Sequence, residues 1–131
     1  MTALDTSVAI PALASWHEAH DRIRRLVSDA SIPHHALLET YAVLTRLPPP
    51  RRVDTATASL VLARRFPPSS VLDPVRSDVV ARLASAGIGG GATYDGIIAL
   101  TAATHDEVLL TRDRRAASTY ERLGVTFELL S

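Results

Sequence analysis

The chain has 131 residues and no cysteine, so its length suits one domain, and disulfides and thiolate metal sites are excluded. Arginine supplies all 14 basic residues, which balance 14 acidic ones to a net charge of zero, a total that does not exclude nucleic acid as a partner. No apolar run could span a bilayer and no basic segment of a signal peptide begins the chain, so we expect one cytoplasmic domain over residues 1–131 without membrane contact.

The first third of the chain combines short extended segments with a helix. Residues 3–10 form an apolar run with the length of a buried strand, and Pro11 ends it. A helix is predicted over residues 15–28, because Ser15 can cap it and apolar residues recur at helical spacing. Residues 31–33 then form a short extended piece.

The middle of the chain is predicted to be mainly helical. One helix covers residues 34–47 and ends at a run of three prolines, and another runs from residue 54 or 55 to about residue 65. A second strand is predicted over residues 69–72. Asp73 and Pro74 then open a helix that continues to residue 86.

The last third of the chain alternates regularly between helix and strand. After a glycine-rich loop at 87–91, a helix begins at residue 93 or 95 and ends near 104, and a strand covers 107–111. A helix over 113–123 and a strand over 126–130 complete the chain. This alternation predicts a three-layer α/β/α sandwich with a mostly parallel central sheet.

Four acidic residues stand next to these elements, and each has an ordinary structural explanation. They are Asp5, Glu39, Asp95 and Asp113. Asp5 and Asp113 can cap a turn or a helix, and Asp95 can interact with a helix dipole. Glu39 can pair with His35 or Arg46 on its own helix.

The joint arrangement of the four acids favours a functional interpretation. Asp5 interrupts an apolar run, where a charge is costly unless it is paired or bound to a metal. Asp5 and Asp113 follow strands, and ligands bind at the carboxyl ends of parallel strands. Asp95 and Glu39 lie near helix starts that can face the same crevice. Converging carboxylates raise one another's pKa, and a hard divalent cation such as Mg²⁺ relieves that repulsion.

Four segments around these acids resemble the motifs of the PIN-domain family. They are Leu4-Asp5-Thr6-Ser7-Val8, His35-Ala36-Leu37-Leu38-Glu39-Thr40-Tyr41, Ala92-Thr93-Tyr94-Asp95-Gly96-Ile97-Ile98-Ala99 and Leu109-Leu110-Thr111-Arg112-Asp113-Arg114. The segments occur in the order of the family and together cover the chain from end to end. The compact length further resembles the VapC-like toxins of bacterial toxin–antitoxin pairs. Tyr94, directly before Asp95, differs from many relatives, and this departure bears on substrate specificity more than on the chemistry.

The resemblance implies an endoribonuclease that cleaves RNA with Mg²⁺ or Mn²⁺. Its catalytic and metal-binding residues would be Asp5, Asp95 and Asp113, with Glu39 binding the metal directly or through water. One or two ions could act, by activating water for in-line attack on phosphorus. The implied partners are RNA, a cognate antitoxin protein and a second copy of the chain. Apolar side chains that could form the homodimer are Leu13, Trp16, Leu60 and Val61.

Further residues near the acids have two interpretations each. The hydroxyls of Thr6, Ser7 and Thr111 can orient a carboxylate or water, or can cap turns. Arg112 and Arg114 flank Asp113 closely enough to contact RNA phosphates, although arginines also cover ordinary helix surfaces. For the whole chain, the alternative to a nuclease is a non-catalytic PIN-fold module that only binds protein or RNA.

Overall fold

A parallel β-sheet forms the centre of the computed structural model, which describes all 131 residues. Its strands are β1 (Thr2–Leu4), β2 (Ile32–Pro33), β3 (Val71–Leu72), β4 (Val108–Thr111) and β5 (Phe127–Leu129). Strands β1, β4 and β5 pair in the order β1-β4-β5, and β2 pairs with β3. A parallel bridge between Ala3 and Ser31 joins the two sheets, so the strand order across the molecule is β3-β2-β1-β4-β5.

Seven helices surround the sheet, and a 3₁₀ turn at Pro68–Ser70 precedes β3. The helices are α1 (Thr6–Leu13), α2 (His20–Leu26), α3 (His34–Arg46), α4 (Thr55–Arg65), α5 (Val79–Ser85), α6 (Ala92–Thr104) and α7 (Arg114–Leu123). A main core of 21 buried residues draws on strands and on helices from both halves of the chain. The predicted three-layer α/β/α class is confirmed. None of the helices has the length and apolarity needed to cross a membrane, and the cytoplasmic location stays a prediction.

The prediction of one strand over residues 3–10 is wrong. β1 ends at Leu4, and residues from Thr6 onward form α1, which contains Pro11. Burial explains the difference, because Val8, Ala9, Pro11 and Ala12 all lie in the interior. Packing of this apolar segment as a helix outweighs the cost of one proline within it.

The strand predicted over residues 69–72 is shorter than expected, because a 3₁₀ turn occupies Pro68–Ser70 and β3 covers only Val71–Leu72. Two predicted helices begin later than expected. The helix predicted from Ser15 begins at His20, after a turn in which the Ala19 amide donates to His17 Nδ1 at 3.0 Å. The helix predicted from Asp73 begins at Val79. Asp78 has a φ of 59°, which is left-handed and therefore cannot continue a right-handed helix.

The remaining helix and strand predictions are confirmed to within one or two residues. α4 begins where expected, because the side chain of its N-cap residue Asp54 accepts a hydrogen bond from the Thr57 amide at 2.8 Å. α7 ends at Leu123, and the following Gly124 has a φ of 69°, the left-handed conformation common directly after helices.

Candidate active site

A cavity of about 260 Å³ lies at the carboxyl ends of β1 and β4 and is lined by the four predicted acids. Asp5 directly follows β1, Asp113 lies two residues beyond β4, Asp95 is in the first turn of α6, and Glu39 projects from α3. Because β1 and β4 are neighbouring parallel strands, their carboxyl ends meet at one edge of the sheet. The four side chains therefore border one space, while their catalytic and metal-binding roles stay predictions.

Asp5 is the most deeply buried of the four carboxylates, with 3% of its surface exposed. Its Oδ1 accepts a hydrogen bond from Ser7 Oγ at 2.6 Å, and its Oδ2 accepts one from the Tyr120 hydroxyl at 2.9 Å. Burial raises the pKa of Asp5, and hydrogen bonds from these hydroxyls oppose part of that rise. Although Asp5 occupies the N-cap position of α1, its side chain makes no capping hydrogen bond, and the Val8 amide of the first turn only weakly lowers its pKa.

Tyr120 is a residue of the site that the sequence analysis missed. It is fully buried on α7 and packs edge-on against Phe127, with ring centroids 5.8 Å apart. Burial and the Asp5 carboxylate hold the pKa of Tyr120 far above its usual value, so its hydroxyl remains a donor. The sequence carries only a partial signal: Ala116 and Ala117 share the inward face of α7 with Tyr120, and a core-facing tyrosine hydroxyl needs an acceptor, but the acceptor itself is set by long-range packing.

Asp95 and Glu39 respond to the other acids of the cavity. Burial raises the pKa of Asp95 to about 6, with further contributions from the charges of Glu39, Asp113 and Asp5 in that order. Burial and the charge of Asp5 also raise the pKa of Glu39. Ionised carboxylates at this cavity therefore repel one another.

Two hydroxyls connect the ends of β1 and β4 beneath the acids. Ser7 Oγ accepts a hydrogen bond from the Arg112 amide at 2.7 Å and lies 3.3 Å from Thr111 Oγ1. The Asp113 amide donates to Thr111 Oγ1 at 3.1 Å. Ser7 thus contacts both the Asp5 carboxylate and the backbone that leads to Asp113, and the predicted role of Ser7 and Thr111 in orienting a carboxylate or water stays a prediction.

Asp113 is both a helix cap and a cavity residue. Its Oδ1 accepts hydrogen bonds from the amides of Arg115 at 2.9 Å and Ala116 at 3.4 Å, which begins α7. Capping of α7 by Asp113 is therefore compatible with a position at the cavity, and its catalytic role stays a prediction. Of the two predicted RNA-binding arginines, Arg112 donates from Nε to the Ser131 carbonyl at 3.4 Å, and Arg114 is exposed in the first turn of α7. Their contact with RNA stays a prediction.

The side chains of the cavity fit a hard divalent cation by their chemistry. All candidate ligands are oxygen atoms, and two buried oxygens of the lining, Thr6 Oγ1 and Glu39 Oε1, have no hydrogen-bond partner. No three Asp, Glu, His or Cys side chains lie close enough together to hold a metal ion directly among them. Mg²⁺ does not require one, because it keeps several waters and uses one or two carboxylates together with substrate phosphates.

A stacked pair of aromatic rings lies beside the acids. The rings of His35 and Tyr94 are nearly parallel, with an interplanar angle of 8° and centroids 5.3 Å apart. His35 Nε2 lies 3.7 Å from Glu39 Oε1. Burial and the neighbouring His34 lower the pKa of His35, which favours a neutral ring at neutral pH, so this contact with Glu39 is not a strong ion pair.

Comparison with known proteins gives one family and close relatives. Residues 2–122 match the model of the PIN domain. The chain is 41% identical to Ribonuclease VapC40 of Mycobacterium tuberculosis over the whole of both chains. It is 44% identical to Ribonuclease VapC27 of the same organism, over 94% of this chain and 92% of that protein.

A solved structure has the same fold at much lower sequence identity. The crystal structure of VapBC2 from Rickettsia felis, bound to a promoter DNA fragment, superimposes on this chain with a TM-score of 0.66. The match covers 99% of this chain and 98% of that chain at 14% identity. At this identity the likeness supports the fold alone.

Proposed function

Because the chain belongs to the PIN-domain family, we propose that it is an endoribonuclease that cleaves RNA with Mg²⁺ or Mn²⁺. The observation that carries the proposal is the meeting of Asp5, Glu39, Asp95 and Asp113 around one cavity at the carboxyl edge of the sheet. The names of VapC40 and VapC27, both ribonucleases, give the substrate class. One nuclease domain over residues 1–131 accords with the family match and the single main core.

The four carboxylates would hold the metal directly or through bound water, and each carboxylate has its own support. Ser7 and Tyr120 hold both oxygens of Asp5, so this carboxylate keeps a fixed orientation. Asp113 is held by the first turn of α7, and Asp95 by its position in α6. Glu39 Oε1 has no hydrogen-bond partner and would bind the cation directly or through a water molecule.

The protein groups position the phosphate and the attacking water. A bound divalent cation supplies Lewis acidity that activates water and screens the phosphate charge. The carboxylates repel one another when ionised, so they favour a cation between them and disfavour a bare phosphate in its absence. Arg112 and Arg114, at the Asp113 side of the cavity, are the cationic residues that would contact neighbouring RNA phosphates.

An assay with a circular RNA tests the metal dependence and the endonuclease activity together. The purified chain should linearise the circle in the presence of Mn²⁺ or Mg²⁺, lose this activity after chelation and regain it when metal is restored. A circle has no ends, so linear product can come only from internal cleavage. Undiminished cleavage after exhaustive chelation would contradict the proposal, and a chain that binds RNA but never cuts it would favour the non-catalytic alternative.

We further propose that the chain works with an antitoxin protein and as a homodimer. The antitoxin is proposed from the close similarity to VapC40 and VapC27. For the dimer, Leu13, Trp16 and Val61 border one shallow cavity of about 590 Å³, with Leu60 51% exposed on α4. Symmetric dimers are the commonest assembly, and exposed apolar side chains of this kind form their contacts.

Light scattering and growth assays test these two partners. The wild-type chain should have the mass of a dimer, and Val61→Glu should shift it toward the monomer by introducing a charge into the contact. Expression of the chain alone should arrest growth, and co-expression of a neighbouring antitoxin gene should relieve the arrest. A monomeric mass at high concentration argues against the dimer, and harmless expression of active enzyme argues against a toxin.

A further inference from the structure

The aromatic ring of Tyr94 is held in a fixed orientation but remains open to solvent. Tyr94 directly precedes Asp95 in the first turn of α6, and 53% of its surface is exposed. One face of its ring lies against His35 in a nearly parallel stack. Isolated exposed aromatic residues are common and need no explanation. A ring that is ordered by a second ring beside a catalytic cavity is a different case, because its available face has a defined position.

The stacked pair is connected to the acids on both sides. Tyr94 is bonded through the backbone to Asp95, and His35 Nε2 lies 3.7 Å from Glu39 Oε1. The two rings therefore lie between the elements that carry two of the four carboxylates, α3 and α6. A phosphate bound at the carboxylates would bring the base of an adjacent nucleotide close to the stacked rings of His35 and Tyr94.

We propose that the exposed face of Tyr94 is the stacking surface for an unpaired base next to the phosphate that is cleaved. This inference rests on the proposed ribonuclease function. Aromatic side chains stack on bases in many proteins that bind single-stranded nucleic acid, and every base offers a π-face. Only an unpaired base can stack in this way, so the substrate at this position is a single-stranded segment or a loop. His35 orders the Tyr94 ring before RNA binds and so reduces the entropy lost on binding.

The structure also defines what a purely structural role would look like. If Tyr94 only supported His35, its loss would disturb Glu39 and would slow cleavage of every substrate equally. If Tyr94 binds a base, its loss matters only when that base is present. A comparison of enzyme variants on RNAs that lack one base separates the two roles, because a direct contact makes the loss of Tyr94 and the loss of that one base non-additive, whereas losses at other positions remain additive.

The experiment uses short single-stranded RNAs whose cleavage position has been mapped with the wild-type chain. In each RNA, one nucleotide near the cleaved bond is replaced by an abasic residue. Wild type, Tyr94→Ala, Tyr94→Leu and Tyr94→Phe are compared by kcat/KM. Tyr94→Phe is the matched control, because it keeps the ring and because the Tyr94 hydroxyl makes no hydrogen bond within the protein. Melting temperatures check that the variants remain folded, as expected at a half-exposed position.

Tyr94→Ala and Tyr94→Leu should lower kcat/KM on the intact RNA by about 5- to 150-fold, and Tyr94→Phe should stay close to wild type. When the base is removed at one particular position, the kcat/KM of wild type should fall by a similar factor relative to intact RNA. The kcat/KM of Tyr94→Ala should not fall further at that position. Two results would overturn the inference while the proposed function stands. One is that Tyr94→Ala cleaves the intact RNA as fast as wild type. The other is that Tyr94→Ala lowers kcat/KM relative to wild type by the same factor on every abasic RNA. If the wild-type chain cuts no RNA, the proposed function fails and the inference fails with it.

Discussion

An aspartate occupies the N-cap position of both α1 and α4, but the two aspartates differ in burial, in hydrogen bonding and in the direction of their pKa shifts. Asp54 is exposed, and its side chain accepts a hydrogen bond from the Thr57 amide, which lowers its pKa. Asp5 stands at the same position of α1, but it is buried, makes no capping hydrogen bond and has a raised pKa. Its oxygens are held by Ser7 and Tyr120.

The difference shows how a structural acid is distinguished from a candidate functional acid. The charge of Asp54 is favoured by the fold, because a helix N-terminus and solvent surround it. The charge of Asp5 is disfavoured in the folded state, yet its hydrogen bonds orient the carboxylate toward a cavity with three more acids. A fold that retains a charge at a cost to its own stability is typical of a functional site. The predictions below test this contrast.

The largest effect is expected from neutralising Asp5. Asp5→Asn should reduce RNA cleavage on the order of 10³-fold or more, because one carboxylate of the candidate metal site is lost. The melting temperature without metal should stay the same or rise, because removal of a buried charge with a raised pKa outweighs the loss of one of the two oxygens that accept from Ser7 and Tyr120. Cleavage kinetics and thermal unfolding in a chelator measure the two effects.

Asp54→Asn is the control for this variant, because it makes the same chemical change at the other N-cap. Asparagine caps helices about as well as aspartate, so both cleavage and stability should stay near wild type. Wild-type cleavage by Asp5→Asn would remove Asp5 from the site, and a large loss of its metal-free stability would assign it a structural role.

An intermediate effect is expected at Tyr120. Tyr120→Phe keeps the ring that packs against Phe127 but removes the hydroxyl that donates to Asp5 Oδ2. Loss of such an outer hydrogen bond should reduce cleavage or metal affinity by about 10- to 100-fold. Metal titration and cleavage kinetics of the variant measure this. Equal activity of the two proteins would mean that Ser7 alone suffices to orient Asp5.

A smaller effect, on stability alone, is expected from truncating Asp54. Asp54→Ala removes the acceptor for the Thr57 amide and should lower the melting temperature by a few degrees, with cleavage unchanged. Thermal unfolding and the RNA assay on the same preparation separate the two properties. A loss of cleavage in the folded variant would contradict the assignment of Asp54 as a purely structural acid.

The smallest expected effect is a pH dependence of opposite sign at the two kinds of acid. In metal-free protein, the pKa of Asp95 is about 6 instead of its ordinary 3.8, so the folded state binds its proton more tightly than the unfolded state. Stability from this residue is therefore present at low pH and is lost as pH rises from about 4 to 6. The pKa of Asp54 is lowered, so its contribution is present at neutral pH and is lost on acidification.

Denaturation of wild type, Asp95→Asn and Asp54→Asn in a chelator between pH 3 and 7 measures this difference. The stability of wild type relative to Asp95→Asn should fall as pH rises, and relative to Asp54→Asn it should rise. Because Asp95 is only about half buried, added salt should reduce the effect. An identical pH dependence of wild type and Asp95→Asn would contradict the electrostatic coupling of the cavity.

Local patterns predicted most of the fold, and long-range packing accounts for what they missed. α4 and α7 carry their own start signals in Asp54 and Asp113, so both were located closely. α1 has no such signal, since it is a short apolar segment that contains Pro11 and is helical because it is buried. The left-handed Asp78, which delays α5, likewise has no marker in the sequence.

The candidate site was predictable where it depends on strand ends and unpredictable where it depends on side chains from distant parts of the chain. The meeting of Asp5 and Asp113 follows from parallel pairing of β1 and β4. The hydrogen bond from Tyr120 to Asp5 joins residues 115 positions apart, and the stacking of His35 on Tyr94 depends on how α3 and α6 pack. Neither contact is encoded in a local motif.

Direct binding of Mn²⁺ tests the central claim that the four carboxylates form a metal site. Calorimetric titration of metal-free wild type, Asp54→Asn, Asp5→Asn and Asp95→Asn requires neither RNA nor activity. Wild type and Asp54→Asn should bind Mn²⁺ alike, and Asp5→Asn and Asp95→Asn should each bind it at least about 10-fold more weakly. Equal binding by all four proteins would contradict the account, because it would locate the metal away from this cavity.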